Sequence, residues 1–436
     1  MEVVNAKTLN ECLNASLNAL KENEKKINDL NVFPVPDGDT GTNMRLTLES
    51  GLKNIKSDNV GAFFKELSLG MLVGARGNSG VILSIIFKGI SNSLKGKDEI
   101  TPLDFLNALK NSILYSYKTV KNPVEGTILT VLRLGVEVEN NFNTFEELLI
   151  LLIDKMKRVL DDTPKMLKTL EEAKVVDAGG AGLLLIISGM LNNLKGCKTE
   201  VLITNTEKAK VRYYKQDEHK PIAYVAFCVG EGMKEIFYDL GCDVILESPL
   251  TINPSTKEIV DAINAIDADN IVILPNNKNA LLTATLAKDM LKNDSIYILE
   301  TTSLAQGYFA LSMMVRTSDN IKYQLEEMKK GINDVLSIEV AKASKDGSFF
   351  DVSYKAKDYL FIVNGNLKLA GSDLFKSLKT LLDSMDLSEK EIMAVFTGSN
   401  IKNIDEITDF INDNYELESG VLEGDFKTYD LVIGIS

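Results

Sequence analysis

The chain has 436 residues, 45% apolar and 25% charged, with a formal net charge of −14, one histidine and four cysteines. That length holds two or three domains of ordinary core composition, and an acidic surface of this kind repels phosphate backbones, which argues against a nucleic-acid partner. Cys12, Cys197, Cys228 and Cys242 form no CxxC pair, which excludes a disulfide frame or zinc knuckle and fits a reducing, cytoplasmic setting.

In chain order, residues 1–205 carry helical periodicity and no convincing strand. The N-terminus lacks the basic-then-apolar build of a signal peptide. TLNECLNASLNALKEN opens with Thr8 and Glu11 at capping-box spacing. TPLDFLNALKNSILYSY sets Leu103, Leu106, Leu109 and Ile113 on one stripe. TFEELLILLIDKMKRVL repeats the capping device with Thr144 and Glu147, and in TPKMLKTLEEA, Thr163 and Pro164 read as N-cap and first helical residue. The longest apolar run, AGLLLIISGML from Ala181, is too short to span a bilayer. Residues 206–221 are charged and break the pattern, and here stands His219, read as a solvated linker residue, with Tyr213 and Tyr214 as linker packing. From residue 222 strands and helices alternate (IAYVAFCV, DVILES, NIVILP, SIYILE), then an antiparallel ribbon follows in SFFDVSYKAKDYLFIVNGNLKLAGS, and IMAVFTGS and YDLVIGIS resume the alternation. The expected architecture is multidomain: an all-α domain over 1–205, a linker over 206–221, and an α/β region over 222–436 of one lobe or of two, 222–320 and 321–436.

Four stretches of the helical half run small residues into apolar helix starts. They are NVFPVPDGDTGTNM at 31–44, GARGNSGVIL with Gly74, Gly77 and Gly80, PVEGTILTVLR with Gly126 and Thr127, and AKVVDAGGAGLLLI with Asp177 and Gly179. One such stretch is more often a tight interhelical contact than a ligand site. Four in one domain point to a phosphate cradle, because helix N-termini expose unpaired N–H groups and glycines let them approach an anion. Asp37 and Asp39 would repel phosphate without a cation between, and Mg2+ takes carboxylate and phosphate oxygens together. The DGDTGTN stretch fails the EF-hand template, where Gly41, Thr42 and Leu48 stand at positions five, six and twelve. No GxxxxGK[ST] occurs, and GEGMKE at Gly230 misses GxGxxG at Glu235, so it reads as a strand-to-helix turn. Ser255 and Glu258 have capping-box spacing. PNNKN at Pro275 suits either a ligand at a sheet's carboxyl edge or a plain turn.

These four motifs resemble the kinase domain of the dihydroxyacetone kinase L-subunit superfamily, and within it the bacterial fatty acid kinase A subunits. The likeness runs on through SPLTINPSTKEIVDAI, IVILPNNKNALLTA and TTSLAQGY and covers nearly the whole chain. It implies a helical barrel around ATP or ADP, with two Mg2+ ions and no zinc. It implies Asp37 and Asp39 as catalytic metal ligands, with Asn31 near a third ligand position. Thr40, Gly41, Thr42, Asn43, Asn78, Ser79, Gly80, Gly126, Thr127, Asp177 and Gly179 would contact nucleotide. The implied reaction phosphorylates a fatty acid presented by a DegV-like fatty-acid-binding protein to give an acyl phosphate for phospholipid synthesis, with the C-terminal region as docking surface. Such proteins usually carry a middle domain with a Cys/His metal cluster associated with dimerisation. About 25 residues join the two halves here, too few for a domain, so a homodimer is left open. A dihydroxyacetone-type small-molecule kinase and a non-catalytic nucleotide-binding scaffold are the alternatives.

Overall fold

Two units divide the chain, Met1–Thr206 and Glu207–Ser436. The structure, a computed structural model, describes residues 1–31, 38–53, 55–120, 123–196, 210–213, 219–247, 253–343, 346–349 and 352–436.

The first unit is helical among its described residues: α1 (Ala6–Leu30), α2 (Thr40–Leu52), α3 (Val60–Gly74), α4 (Gly77–Ser93), α5 (Pro102–Thr119), α6 (Ile128–Gly135), α7 (Phe145–Met166), α8 (Lys168–Ala173) and α9 (Ala178–Leu194). From α1 to α7 each helix packs on its neighbour in sequence; α7 then packs on α9, and α9 returns to α1, so the ring closes. Its interior is one apolar core that includes Leu13, Phe64, Leu83, Leu106, Leu132, Met156 and Ile186. The Ser16 hydroxyl, buried between α1 and α9, donates to the Ile186 carbonyl at 2.6 Å.

Local sequence explains most helix starts, with three differences. The α7 capping box at Thr144 and Glu147 forms as expected. On α1 the cap is Asn5, whose side chain accepts from the Thr8 N–H, so the helix begins before the Thr8–Glu11 pair. Leu103 is exposed at 46%, while Phe105, Leu106, Ala108 and Leu109 face the core. Thr163 and Pro164 do not open a helix: α7 continues through them to Met166. Pro164 lacks the N–H that the Leu160 carbonyl would receive. The Thr163 hydroxyl supplies a donor instead, at 2.7 Å, and the chain stays helical for another half turn.

The second unit holds β1 (Lys210–Tyr213), β2 (Lys220–Phe227), α10 (Glu231–Asp239), β3 (Val244–Glu247), α11 (Thr256–Asn264), β4 (Ala268–Leu274), α12 (Lys278–Leu291), β5 (Ile296–Ile298), α13 (Leu304–Ser312), α14 (Ile321–Asn333), β6 (Leu336–Lys342), β7 (Gly347–Phe349), β8 (Val352–Tyr354), β9 (Tyr359–Val363), β10 (Asn366–Gly371), α15 (Leu374–Asp383), β11 (Ile392–Thr397), α16 (Ile404–Asn414), β12 (Glu418–Glu423) and β13 (Leu431–Ile435). One sheet runs β1-β3-β2-β4-β5, parallel except for β1. Lys210–Tyr213, inside the stretch expected to be linker, is thus an edge strand, while Tyr214 lies outside the described residues. The second sheet runs β10-β9-β6-β13-β11-β12. Its β13 pairs antiparallel with both β11 and β6, so YDLVIGIS does not continue a parallel alternation.

The two sheets share a core. Tyr224, Ala226 and Val272 on the first, Phe237, Phe309 and Met328 on α10, α13 and α14, and Phe396 and Val432 on the second pack as one cluster. Helices α11 and α12 cover the far face of the first sheet, and α15 and α16 the far face of the second. Residues 222–320 and 321–436 therefore share one cluster, and each sheet has a further cluster on its far face. The GEGMKE stretch is a close-packing device within it: Met233 N–H donates to the Gly424 carbonyl at 3.0 Å, and a Cβ on Gly230 would stand 2.2 Å from that same oxygen.

Candidate functional site

The four small-residue stretches become the heads of α2, α4, α6 and α9. Their glycines bring these heads together, because side chains there would hold the helices apart. A Cβ on Gly80 would lie 2.4 Å from the Thr47 hydroxyl and 3.2 Å from the Asn43 carbonyl, so α4 rests directly on α2. A Cβ on Gly182 would lie 2.4 Å from the Met44 sulfur, so α9 meets α2 one turn in. A Cβ on Gly179 would lie 3.2 Å from the Ile128 Cβ, so α9 also meets α6. Motifs as far apart in sequence as DGDTGTN and DAGGAG thus share one rim of the ring.

The amides at these heads have different partners. In α2 the Gly41 N–H donates to the Asn28 Oδ1 at 2.7 Å and the Thr42 N–H to the same oxygen at 3.3 Å. The Thr42 hydroxyl donates to Glu24 Oε1 at 2.6 Å and accepts from Asn28 Nδ2 at 3.1 Å. Arg45 then bridges Glu24, at 2.5 Å, and Glu49, at 3.0 Å. Gly41 and Thr42, expected at nucleotide, hence spend their amides on α1. In α9 Asp177 caps its own helix, accepting from the Gly180 N–H at 2.6 Å, and it also accepts from the Ile128 N–H at the head of α6. Burial pushes the Asp177 carboxyl up to about 6, against the pull of those two amides. Thr127 turns its hydroxyl to the Val124 carbonyl at 2.7 Å and makes no cap bond. Gly126, at φ +81°, donates to the Thr130 hydroxyl at 3.0 Å. At α4 the N-cap residue is Arg76, which makes no side-chain cap bond, and the half-buried Asn78 and Ser79 fill the first turn.

Two buried oxygens at the α2–α4 contact, Asn43 Oδ1 and Thr47 Oγ1, have no hydrogen-bond partner among the described residues. Thr40 is buried beside them at the start of α2. Asn31 ends α1 and Asp39 starts α2, so they bracket the chain that carries Asp37, which lies outside the described residues. Among the described residues no three His, Cys, Asp or Glu side chains cluster as metal ligands. The donor chemistry nevertheless suits Mg2+. Asp39 is buried, stands at an N-cap and makes no capping bond. A buried carboxylate is a hard oxygen donor of the type such an ion takes.

Reading the sequence missed the residues that hold the motifs from behind. Glu125, inside the third motif, accepts from Arg133 at 2.6 Å, Thr130 at 2.8 Å and the Tyr117 hydroxyl at 3.1 Å. Partial burial works against its charge, but these bonds outweigh it and keep the carboxyl below its usual range. The bracing roles of Asn28 and Thr163 were missed as well, and no local pattern marks either. His219 is exposed, 2.9 Å from Asp267 and 3.3 Å from Asp269, which fits its reading as a solvated residue. The expected capping box at Ser255 and Glu258 is present on α11. Among the described residues no helix is long and apolar enough to cross a membrane.

A closed helical ring with glycine-rich helix heads is followed by an α/β body, and each half matches a kinase-class family model. The DAK2 domain model matches residues 34–192, and the C-terminal model of the FakA-like fatty acid kinases matches residues 223–436. The chain belongs to this FakA-like fatty acid kinase family. Among its relatives, protein YloV of Bacillus subtilis is 27% identical over 551 residues, covering 99% of this chain and 99% of the relative. An uncharacterised protein of Staphylococcus aureus strain USA300 is 27% identical over 545 residues, with the same coverage. Both alignments are longer than this chain, so both relatives carry sequence that has no counterpart here. Among solved structures, DegV, a fatty acid binding protein from Bacillus subtilis, superposes with a TM-score of 0.35 at 14% identity, covering 49% of this chain and 98% of that one.

Proposed function

We propose that this protein transfers the γ-phosphoryl group of ATP to the carboxylate of a fatty acid presented by a DegV-like binding protein. A carboxylate oxygen attacks the γ-phosphorus, the bond to the β-phosphate bridging oxygen breaks, and acyl phosphate and ADP leave. The observation that carries the reading is the meeting of four small-residue helix heads on one rim of a DAK2-type ring. The fatty-acid acceptor rests on the family of the C-terminal unit.

A carboxyl group titrates near 4–5 and is already ionised at neutral pH, so the acceptor needs no general base. That matches a rim with no histidine, since His219 stands in the other unit. The chain's own share is positioning. The head of α4, with Asn78, Ser79 and Gly80, would face phosphate, and Asp177 and Gly179 hold α9 against Thr127 and Gly126 at the head of α6. Asn43 Oδ1 and Thr47 Oγ1 are candidate contacts for bound nucleotide or its water. Asp37 and Asp39, with Asn31 nearby, would hold Mg2+, which when bound neutralises charge on the transferred phosphoryl group.

The test mixes the protein with ATP, Mg2+, a fatty acid and a DegV-like binding protein and measures acyl phosphate. Product is expected only with the binding protein present, and Asp39→Ala should lower the rate at least a hundredfold, on the order of a lost catalytic metal contact. Phosphorylation of dihydroxyacetone instead would replace the acceptor, and ADP binding without turnover would make the protein a scaffold.

A further inference from the structure

We infer that the outer edge of β12 is a docking surface: an extended, basic segment of the fatty-acid carrier adds to it as a further strand. The inference rests on the kinase reading above, which gives the carrier to this unit but names no surface.

β12 ends the second sheet and pairs in parallel with β11. The Glu418 N–H donates to the Glu391 carbonyl and the Gly424 N–H to the Thr397 carbonyl, both at 2.9 Å. Backbone groups of successive strand residues point in opposite directions, so Glu418, Gly420 and Leu422 face β11, and Ser419, Val421 and Glu423 face outward. Helix α10 covers the far end of that outer row, since a Cβ on Gly232 would collide with the Glu423 carbonyl. Among the described residues the Ser419 and Val421 N–H groups have no partner. Such a row is a template for another strand. The remaining sheet ends offer less: β8 packs beside β10, β5 has three residues and β1 four. One face of β12 is open too. The Ser419 hydroxyl donates to Asn412 of α16 at 3.0 Å, so α16 lies on the face of Ser419 and Val421. On the opposite face Glu418 and Leu422 are exposed, and a Cβ on Gly420 would meet no atom within 4 Å. A side chain of an added strand has room to lie across Gly420.

Charge selects the occupant. Residues 404–425 hold eight Asp or Glu and no Lys or Arg, so this short stretch carries −8 of the chain's net −14. All eight are exposed, and none forms an ion pair among the described residues. A second copy of this chain would set the same carboxylates against one another, which disfavours a self-paired edge. Nucleic acid and anionic lipid are repelled likewise. A segment rich in Lys or Arg is attracted.

The experiment measures binding of the DegV-like binding protein to the full-length chain by calorimetry, and follows backbone amide exchange with and without it. In the wild type the carrier should slow exchange at Ser419 and Val421 and leave Gly420 and Leu422, already bonded to β11, unchanged. Val421→Pro removes one outward N–H at an edge position, where proline is tolerated, and should weaken binding about tenfold, as for a lost hydrogen bond. Val421→Thr, which keeps the N–H, should bind like wild type. The double variant Glu418→Lys/Glu423→Lys should bind about tenfold more weakly at low salt, with the gap closing near 1 M, where the Debye length is about 3 Å. Wild-type binding by both Val421→Pro and the charge-reversed variant, or Ser419 and Val421 amides that exchange equally fast with and without carrier, overturns the inference and leaves the kinase reading standing. A carrier that neither binds the wild type nor yields acyl phosphate overturns both.

Discussion

Thr163 shows how much one hydroxyl can hold. It is fully buried. It donates to the Leu160 carbonyl at 2.7 Å and accepts the Asp177 N–H at 3.1 Å. The first bond replaces the one that Pro164 cannot make, and the second fixes the residue that caps α9 and reaches the head of α6. Thr163→Val keeps the shape but leaves a buried carbonyl and a buried N–H without a partner. Each such group costs about 1–3 kcal/mol, so a loss of about 2–6 kcal/mol is expected for the helical unit. Urea unfolding followed by far-UV circular dichroism measures it. Thr163→Ser, which retains the hydroxyl, should lose less than half as much. Equal losses in the two variants would show that the methyl group and not the hydroxyl matters. The Thr-Pro pair misleads in sequence for the same reason: it is a common helix start, and only Leu160 in three dimensions reveals it as a repaired helix end.

Elements were legible where their signals are local. The capping boxes at Thr144–Glu147 and Ser255–Glu258 formed because each needs only three residues of spacing. Strands β2, β3 and β4 announced themselves by apolar runs between turns. What stayed hidden was contact between distant elements: Asn28 on the amides of α2, α9 closing on α1, and β13 inserting antiparallel between β6 and β11. The four motifs were readable as motifs, but their glycines could not say which helix each would touch. Glu339 belongs to this hidden class. It sits mid-strand on β6, opposite Ile362 of β9 and Val432 of β13, and burial pushes its carboxyl up to about 7. The folded state then keeps a proton that the unfolded chain releases near pH 4.5. Stability therefore falls as pH rises from about 4.5 to 7 and levels off above that. Glu339→Gln, neutral throughout, should melt higher than wild type at pH 8 and no higher at pH 4. A melting difference that does not change with pH would exclude ionisation of Glu339 as the cause.

Across the whole molecule, the proposed function gives the two units two tasks. Every site residue assigned above lies in Met1–Thr206, and the ring there closes on itself through α1 and α9. Residues 1–206 expressed alone should therefore fold and bind ADP in the presence of Mg2+ as the full chain does, which calorimetry can compare directly. The proposed function would give docking of the fatty-acid carrier to the second unit, whose two sheets share one helical layer and so should also fold alone. Covalent linkage raises the local concentration of a docked carrier at the kinase rim, an advantage on the order of 10²–10⁴. Acyl phosphate formation by residues 1–206 with the binding protein should accordingly drop at least a hundredfold, and adding residues 207–436 as a separate chain at micromolar concentration should not restore it. An isolated helical unit that makes acyl phosphate at the full-length rate would move the docking surface onto the ring itself. It would also leave the layered C-terminal body, half of the chain, in need of another role.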